Sequence, residues 1–592
     1  MVGCRGRQCC RNSLYLTALS GLIGATVACD LYLARFGLGV FTGRSIKAGD
    51  VLENEAEALI PLYDSKTIDD PTNHSPLREY VWNSLSTLPE LGIVGSTNRS
   101  AAFWYSGGLA AVAPCTSWNF NLQLSGSGWL PGVSRRNLVE DGMVPPRTSP
   151  QAGAYAYRHG LSYVATQNIE PGDELVVACT DDDFNPLEMK VQSNPFVPND
   201  ERYMCLDNVR SDESELDEAG KGLFATKSLS KGDTILSSPV VPIHRKELSG
   251  DGTGGTAPSG INAYQLLINY ALGHEDSDLL ILPYGPFVNY LNNRPRGESA
   301  NAMLRWKSTE VQEGQTASRR LQYHHPELLK MSAIEVANTH GKGLVLEVVA
   351  SDDIAENDEI YLDYGRAWSK AWDDHVDRWR PPNGAETYMS ADQWFHRQRV
   401  ENIVATEEEL KDDPLPANLQ TVCYFDADAK FISAEEGVTY SRWQDDELPH
   451  ECLRPCKILE RYSNPDPEDE DDMWLYKAEM FHFDGEEKFN FCSLPPGRHV
   501  TKDLTYDGIF ILDKPYTHDL FLTTAFRHEI GIPRDIFPTP WMRKKLRKKE
   551  DESAIRARSE EGAEFRRKKP GEVKTKKLLM KEQKEKSARM DL

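Results

Sequence analysis

Three stretches of this 592-residue chain carry side chains able to work on a bound ligand. In Gly220-Lys221-Gly222-Leu223-Phe224-Ala225 the glycines let main chain come close to a ligand, because no Cβ stands in the way. In Phe287-Val288-Asn289-Tyr290, followed by Ala300-Asn301-Ala302, a carboxamide stands next to an aromatic ring. Asp358-Glu359-Ile360-Tyr361-Leu362-Asp363-Tyr364-Gly365 opens on two carboxylates and ends on a phenol at the close of an apolar run. Taken singly, each has a plain structural reading: Gly-x-Gly forms turns, and a tyrosine in an apolar strand is a core residue. Their joint order makes them a candidate set. Other groupings are weaker. His450, Cys452 and Cys456 with Cys423 and Cys492 fit no compact zinc signature, so ordinary strand cysteines or a disulfide are expected there. The acidic run Asp466 to Asp472 could hold calcium but reads as solvated charge, and no metal site is expected. No nucleophile, base and orienter can be assembled around His528.

The frame that must position these residues is written twice. Gly37-Leu38-Gly39-Val40-Phe41-Thr42-Gly43-Arg44-Ser45-Ile46-Lys47-Ala48-Gly49-Asp50 recurs as Gly220 to Asp233, with the glycine pair, the Phe, the Ser and the closing Gly-Asp in register. Each copy has a distal partner, Tyr163 to Leu175 and Val348 to Ile360, so the repeat unit is a whole domain. Both copies predict a strand, a glycine turn and a second strand. In the second copy, Ala263, Leu266, Leu267, Tyr270 and Ala271 predict a helix over Ile261 to Leu272. Beyond Gly365, Trp368, Trp372, His375 and Trp379 fall on one face of a helix ended by Pro381-Pro382, a stripe suited to packing.

In order and approximate spacing, the three stretches resemble the three sequence signatures of SET-domain lysine methyltransferases. The resemblance covers Tyr203 to Trp379 well and Leu31 to Phe184 in degraded form. It implies a mainly β fold with some α, small curved sheets around a knot-like threading in which the Asn-containing segment passes beside the final Tyr strand. It also implies S-adenosylmethionine as cofactor on one face and a lysine channel entering from the other. On that resemblance, Gly220, Lys221, Gly222 and Leu223 would approach the methionine part of the cofactor. Asn289 and Tyr290 would hold its amino group and adenine, and Tyr364 would stand beside the transferring methyl. Tyr361 and Leu362 would line the substrate channel, while Asp358 and Glu359 belong to the turn. The chain departs from the family at Tyr290-Leu291, where His-Ser is usual, and at Leu362, where an aromatic is usual. In the first copy Cys179 stands at the position of Tyr364 and reads as a buried cysteine in a unit that has lost the site. The expected activity is protein-lysine methylation by the second copy; the alternative is a catalytically inactive SET-like scaffold.

The boundaries that follow are a signal peptide or anchor at 1–28, a degenerate SET-like unit at 30–185, a SET unit at 200–382 whose Trp-striped helix closes the site, a β-rich region at 390–540 and a basic tail, helical or disordered, at 541–592. Phe526 to Pro533, ending near Phe537 and Trp541, looks like a segment that docks apolar residues onto a domain. The net charge of −24 divides into about +9 for the tail and about −33 for the rest. An acidic body suits a basic protein or peptide substrate and argues against nucleic acid as its partner. Arg5, Arg7 and Arg11 before the apolar run Leu14 to Ala28 predict entry into the secretory pathway, with membrane attachment only if that run stays uncleaved. A nuclear location is the alternative if the run is not a working signal.

Overall fold

A computed structural model describes residues 29–34, 39–63, 77, 81–83, 102–113, 115–116, 120–124, 144–178, 203–248, 264–307, 325–337, 343–391, 393–394, 403–424, 434–435, 438–442, 453–465, 473–481, 498–514 and 516–542. The N-terminal run, Cys179, His450, Cys452, the acidic run 466–472, Cys492 and the basic tail beyond Met542 lie outside these residues. Among the described residues no helix is long and apolar enough to cross a membrane. The architecture is β-rich, with several sheets and few helices.

The repeated sequence folds into repeated hydrogen bonds. In the first unit the strand Val51–Tyr63 runs antiparallel to Arg158–Ala165, and in the second Thr234–His244 runs antiparallel to Leu344–Ala350. Ahead of each, Ile46 and Ile169 exchange a pair of backbone bonds at 2.9 and 2.8 Å, as Leu229 and Ile354 do at 2.8 and 2.9 Å. The Gly-Asp closing each turn works the same way twice. Gly49 and Gly232 take φ of 87° and 96°, which disfavours a side chain, and the Asp50 and Asp233 carboxylates accept from Lys47 N and Ser230 N at 2.9 Å.

The threading that positions the site is explicit in the second unit. Asn292–Asn293 pairs in parallel with Tyr361–Leu362, and Asn301 clamps the same strand through Nδ2 to Glu359 O at 2.8 Å and through its Oδ1, which accepts from Tyr361 N at 2.7 Å. Asn121 makes the same two bonds in the first unit, to Glu174 O and from Val176 N, at 2.8 and 2.7 Å. Cys115–Thr116 likewise lies parallel to Val177–Ala178.

One apolar core runs through both units and includes Ile60, Tyr105, Leu223, Ile281 and Val348. The units are also joined covalently: Leu31–Ala34 pairs antiparallel with Tyr203–Cys205, and Cys29 is disulfide-bonded to Cys205. The third region forms its own seven-stranded sheet around Cys423, Tyr476 and Ile509, and Cys423 and Cys456 form a disulfide in place of the zinc ligation considered above.

Two expectations change. Of the stretch 261–272, the described residues form only a 3-10 turn, Leu266–Tyr270, followed by a strand at Leu272–Gly273; Leu266, Leu267, Ile268 and Ala271 are buried, and pairing on both sides of the strand demands extended backbone. The last part of the third region belongs to the second unit. Ile530–Gly531 extends that unit's sheet parallel to Leu272–Gly273, and Trp541 is buried edge-on to Trp306.

Candidate functional site

The parallel pair delivers Tyr364 to a fixed place. Its backbone N–H donates to Asn293 Oδ1 at 3.0 Å, its carbonyl accepts from Gly531 N at 2.9 Å, and its hydroxyl donates to Leu291 O at 2.5 Å. Burial, with the Tyr270 hydroxyl and the Glu359 carboxylate nearby, pushes the Tyr364 phenol well above its ordinary range, so it is a neutral hydrogen-bond donor at physiological pH. The ring meets Trp368 edge-on, with centroids 5.0 Å apart.

Tyr364 looks into a cleft of about 910 Å³. Of the residues singled out by sequence, Lys221, Asn289, Tyr290, Leu362 and Tyr364 line it. Asn289 Nδ2 is buried without a hydrogen-bond partner in the chain, which leaves a donor for a ligand. That orphaned amide, the size of the cleft and the neutral phenol fit an amino-acid-bearing nucleoside such as S-adenosylmethionine.

Gly220, Gly222, Leu223 and Tyr361 are placed elsewhere. A Cβ at Gly222 would sit on the Glu359 carboxylate, so this glycine makes room for a side chain. Gly220, at φ 72°, lies beneath the Tyr155 ring, and Leu223 is in the core. Tyr361 is buried with its hydroxyl donating to Glu359 Oε2 at 2.9 Å. Glu359 also accepts from Ser214 Oγ at 2.8 Å, Glu215 N at 2.7 Å and Asn292 Nδ2 at 3.1 Å. It thereby ties the Gly-x-Gly strand to both members of the parallel pair.

Sequence reasoning placed the Trp-striped helix at the site but missed Phe526, Tyr155 and Tyr270, which also line the cleft. The Trp-striped helix, Gly365–Arg378, packs Trp368 and Trp372 against Phe526, with centroids 5.4 and 5.0 Å away, and all three rings line the cleft. The helical spacing of the tryptophans was visible, but nothing local linked them to a phenylalanine more than 150 residues later. Asp217, Asp373, Asp377 and Arg296 stand exposed on the cleft's rim, and Arg294 lies half-buried there.

No protein-family model matches the chain, and no curated protein matches it. Solved structures overlap a part of it. A Plasmodium falciparum protein named as a histone methyltransferase is 20% identical over 27% of this chain and 96% of its own, with a TM-score of 0.16. A chain of the Chaetomium thermophilum polycomb repressive complex 2 is 15% identical over 27% of this chain, with a TM-score of 0.16. The same complex in an autoinhibited conformation bound to S-adenosylmethionine is 15% identical over 28%, also at 0.16. The matches span 15% and 17% of those two chains. At that degree of overlap the similarity decides nothing about chemistry.

Proposed function

We propose that the chain is a protein-lysine N-methyltransferase built from two SET-type units, that it uses S-adenosylmethionine, and that its active cleft lies in the second unit. The observation that carries this reading is the convergence on one cleft of Asn289, with an unpaired buried amide, and Tyr364, a neutral phenol held at the end of a threaded parallel strand. The signatures at Gly220, Asn289 and Asp358 to Gly365 support the same assignment. When bound, S-adenosylmethionine would supply an electrophilic methyl group. The chain's own part is alignment. Asn289 would hold the amino-acid end of the cofactor, Lys221 and Tyr290 would flank it, and the Tyr364 hydroxyl, fixed by Leu291 O, would orient the incoming lysine nitrogen. Leu362 and the aromatic wall of Trp368, Trp372 and Phe526 would exclude water around the amine, which favours the neutral form that transfer needs. Asp217 and Asp377 on the rim suit a basic peptide. The two disulfides support the oxidising compartment that the N-terminal segment predicts.

The rival reading, a non-catalytic platform, draws on the filling of Gly222 by Glu359 and the covering of Gly220 by Tyr155. Transfer of a labelled methyl group from S-adenosylmethionine to lysine-containing peptides by the full-length protein separates the two. Tyr364→Phe should lower the rate by about a hundredfold, the usual effect of losing a preorganised polar group. No transfer, or an equally active Tyr364→Phe variant of unchanged fold, would favour the platform.

A further inference from the structure

The first unit has no described counterpart of Tyr364, yet it lies against the candidate cleft at two places. Residues 147–156 run across the second unit and bond to it at almost every step. Arg147 pairs with Asp519, and the Thr148 carbonyl accepts from Trp379 Nε1 at 2.9 Å. Ser149 donates to Glu218, and His375 Nε2, in a ring that burial keeps neutral, donates to Pro150 O at 2.7 Å. Gln151 Nε2 donates to Asp217 O at 2.8 Å, the Gly153 carbonyl accepts from Arg527 at 2.6 Å, and Ala154 O accepts from Asn269 Nδ2 at 2.7 Å. Finally, Ala156 N donates to the Tyr270 hydroxyl at 2.8 Å. This strap presents Tyr155 to the cleft, with its ring over Gly220, where a Cβ would lie 2.7 Å from Cε2. At the other place, Gly107 of the first unit faces Asn289: a Cβ there would come within 2.8 Å of Nδ2. Ala58 of the same unit also lines the cleft.

We infer that the first unit is a working wall of the second unit's binding cleft: Tyr155 roofs the glycine turn and faces the ligand, and the bare Gly107 leaves Asn289 free to adopt its ligand-holding position. This rests on the reading of the cleft as an S-adenosylmethionine site and adds to it a function for the copy that lacks the tyrosine. Tyr155 is a ligand-facing residue and Gly107 a positioning one. The site is therefore complete only in a chain that carries both units together with the segment around Phe526.

The test uses the full-length protein with Tyr155→Ala, Tyr155→Phe and Gly107→Ala, read by S-adenosylmethionine binding and by hydrogen exchange without ligand. Tyr155→Ala should raise Kd at least tenfold and speed exchange of the amides at 221–223. Tyr155→Phe, which keeps the ring, should recover most of the affinity. Gly107→Ala should weaken binding while leaving exchange at 221–223 unchanged, an effect that a general loss of stability would not produce. Unchanged exchange in Tyr155→Ala overturns the inference, and so does faster exchange with undiminished affinity. If the wild-type protein binds no S-adenosylmethionine, the proposed function fails instead, and the exchange data alone decide whether Tyr155 roofs the turn.

Discussion

Glu174 and Glu359 occupy the same place in the two units, each bridged to the phenylalanine of its own glycine turn, and they live under opposite conditions. Glu359 is ringed by donors from Ser214, Glu215, Asn292 and Tyr361. Glu174 packs close to Gly39 as Glu359 packs against Gly222, but burial without such a ring raises its pKa from 4.5 to about 7. The two clamps Asn121 and Asn301 are alike to within a tenth of an ångström. Backbone threading and the polar ring are therefore separable. Among the described residues, the first unit keeps the bonds that define the fold and shows no such side-chain network around Glu174.

Breaking the link between the units should have the largest effect. The Cys29–Cys205 disulfide closes 176 residues and the Cys423–Cys456 disulfide closes 33. Chain entropy then assigns them about 5 and about 4 kcal/mol. Paired Ser substitutions followed by denaturant unfolding check this, and an effect confined to the third region would show that the first two units hold together by packing alone.

The two carboxylates should respond with opposite signs. Glu359→Ala strands one buried and several part-buried donors and should cost about 3 kcal/mol. Glu174→Gln should instead stabilise the protein at pH 8 by about 1–2 kcal/mol. The sign follows from the raised value: a neutral Glu174 contributes its full stability below pH 4.5, and that contribution is lost as pH rises through about 7. The advantage of the Gln variant should therefore vanish below pH 4.5. Unfolding midpoints across that range sharpen the comparison, and equal effects of the two substitutions would erase it.

Much of the frame was legible in the sequence. The doubled Gly-Asp turns, the tryptophan spacing of Gly365–Arg378 and the docking of Phe526 to Trp541 all follow from local pattern. The stretch at 261–272 misled because buried apolar residues at helical spacing also suit a short turn leading into a sheet strand. The strap at 147–156 left no mark, because most of its bonds to the second unit use main-chain carbonyls and amides, which every sequence supplies. Gly222 looked like a ligand cradle because a glycine that admits a carboxylate and one that admits a cofactor are the same letter.

The proposed function requires that Asn289 and Tyr364 share one S-adenosylmethionine cleft. Calorimetric titration of the full-length protein with S-adenosylmethionine, alongside Asn289→Ala, tests it most directly. Micromolar binding, about −8 kcal/mol, is expected, weakened at least tenfold in the variant while its unfolding midpoint is unchanged. No binding by the folded wild-type protein, or binding that Asn289→Ala leaves intact, would contradict it.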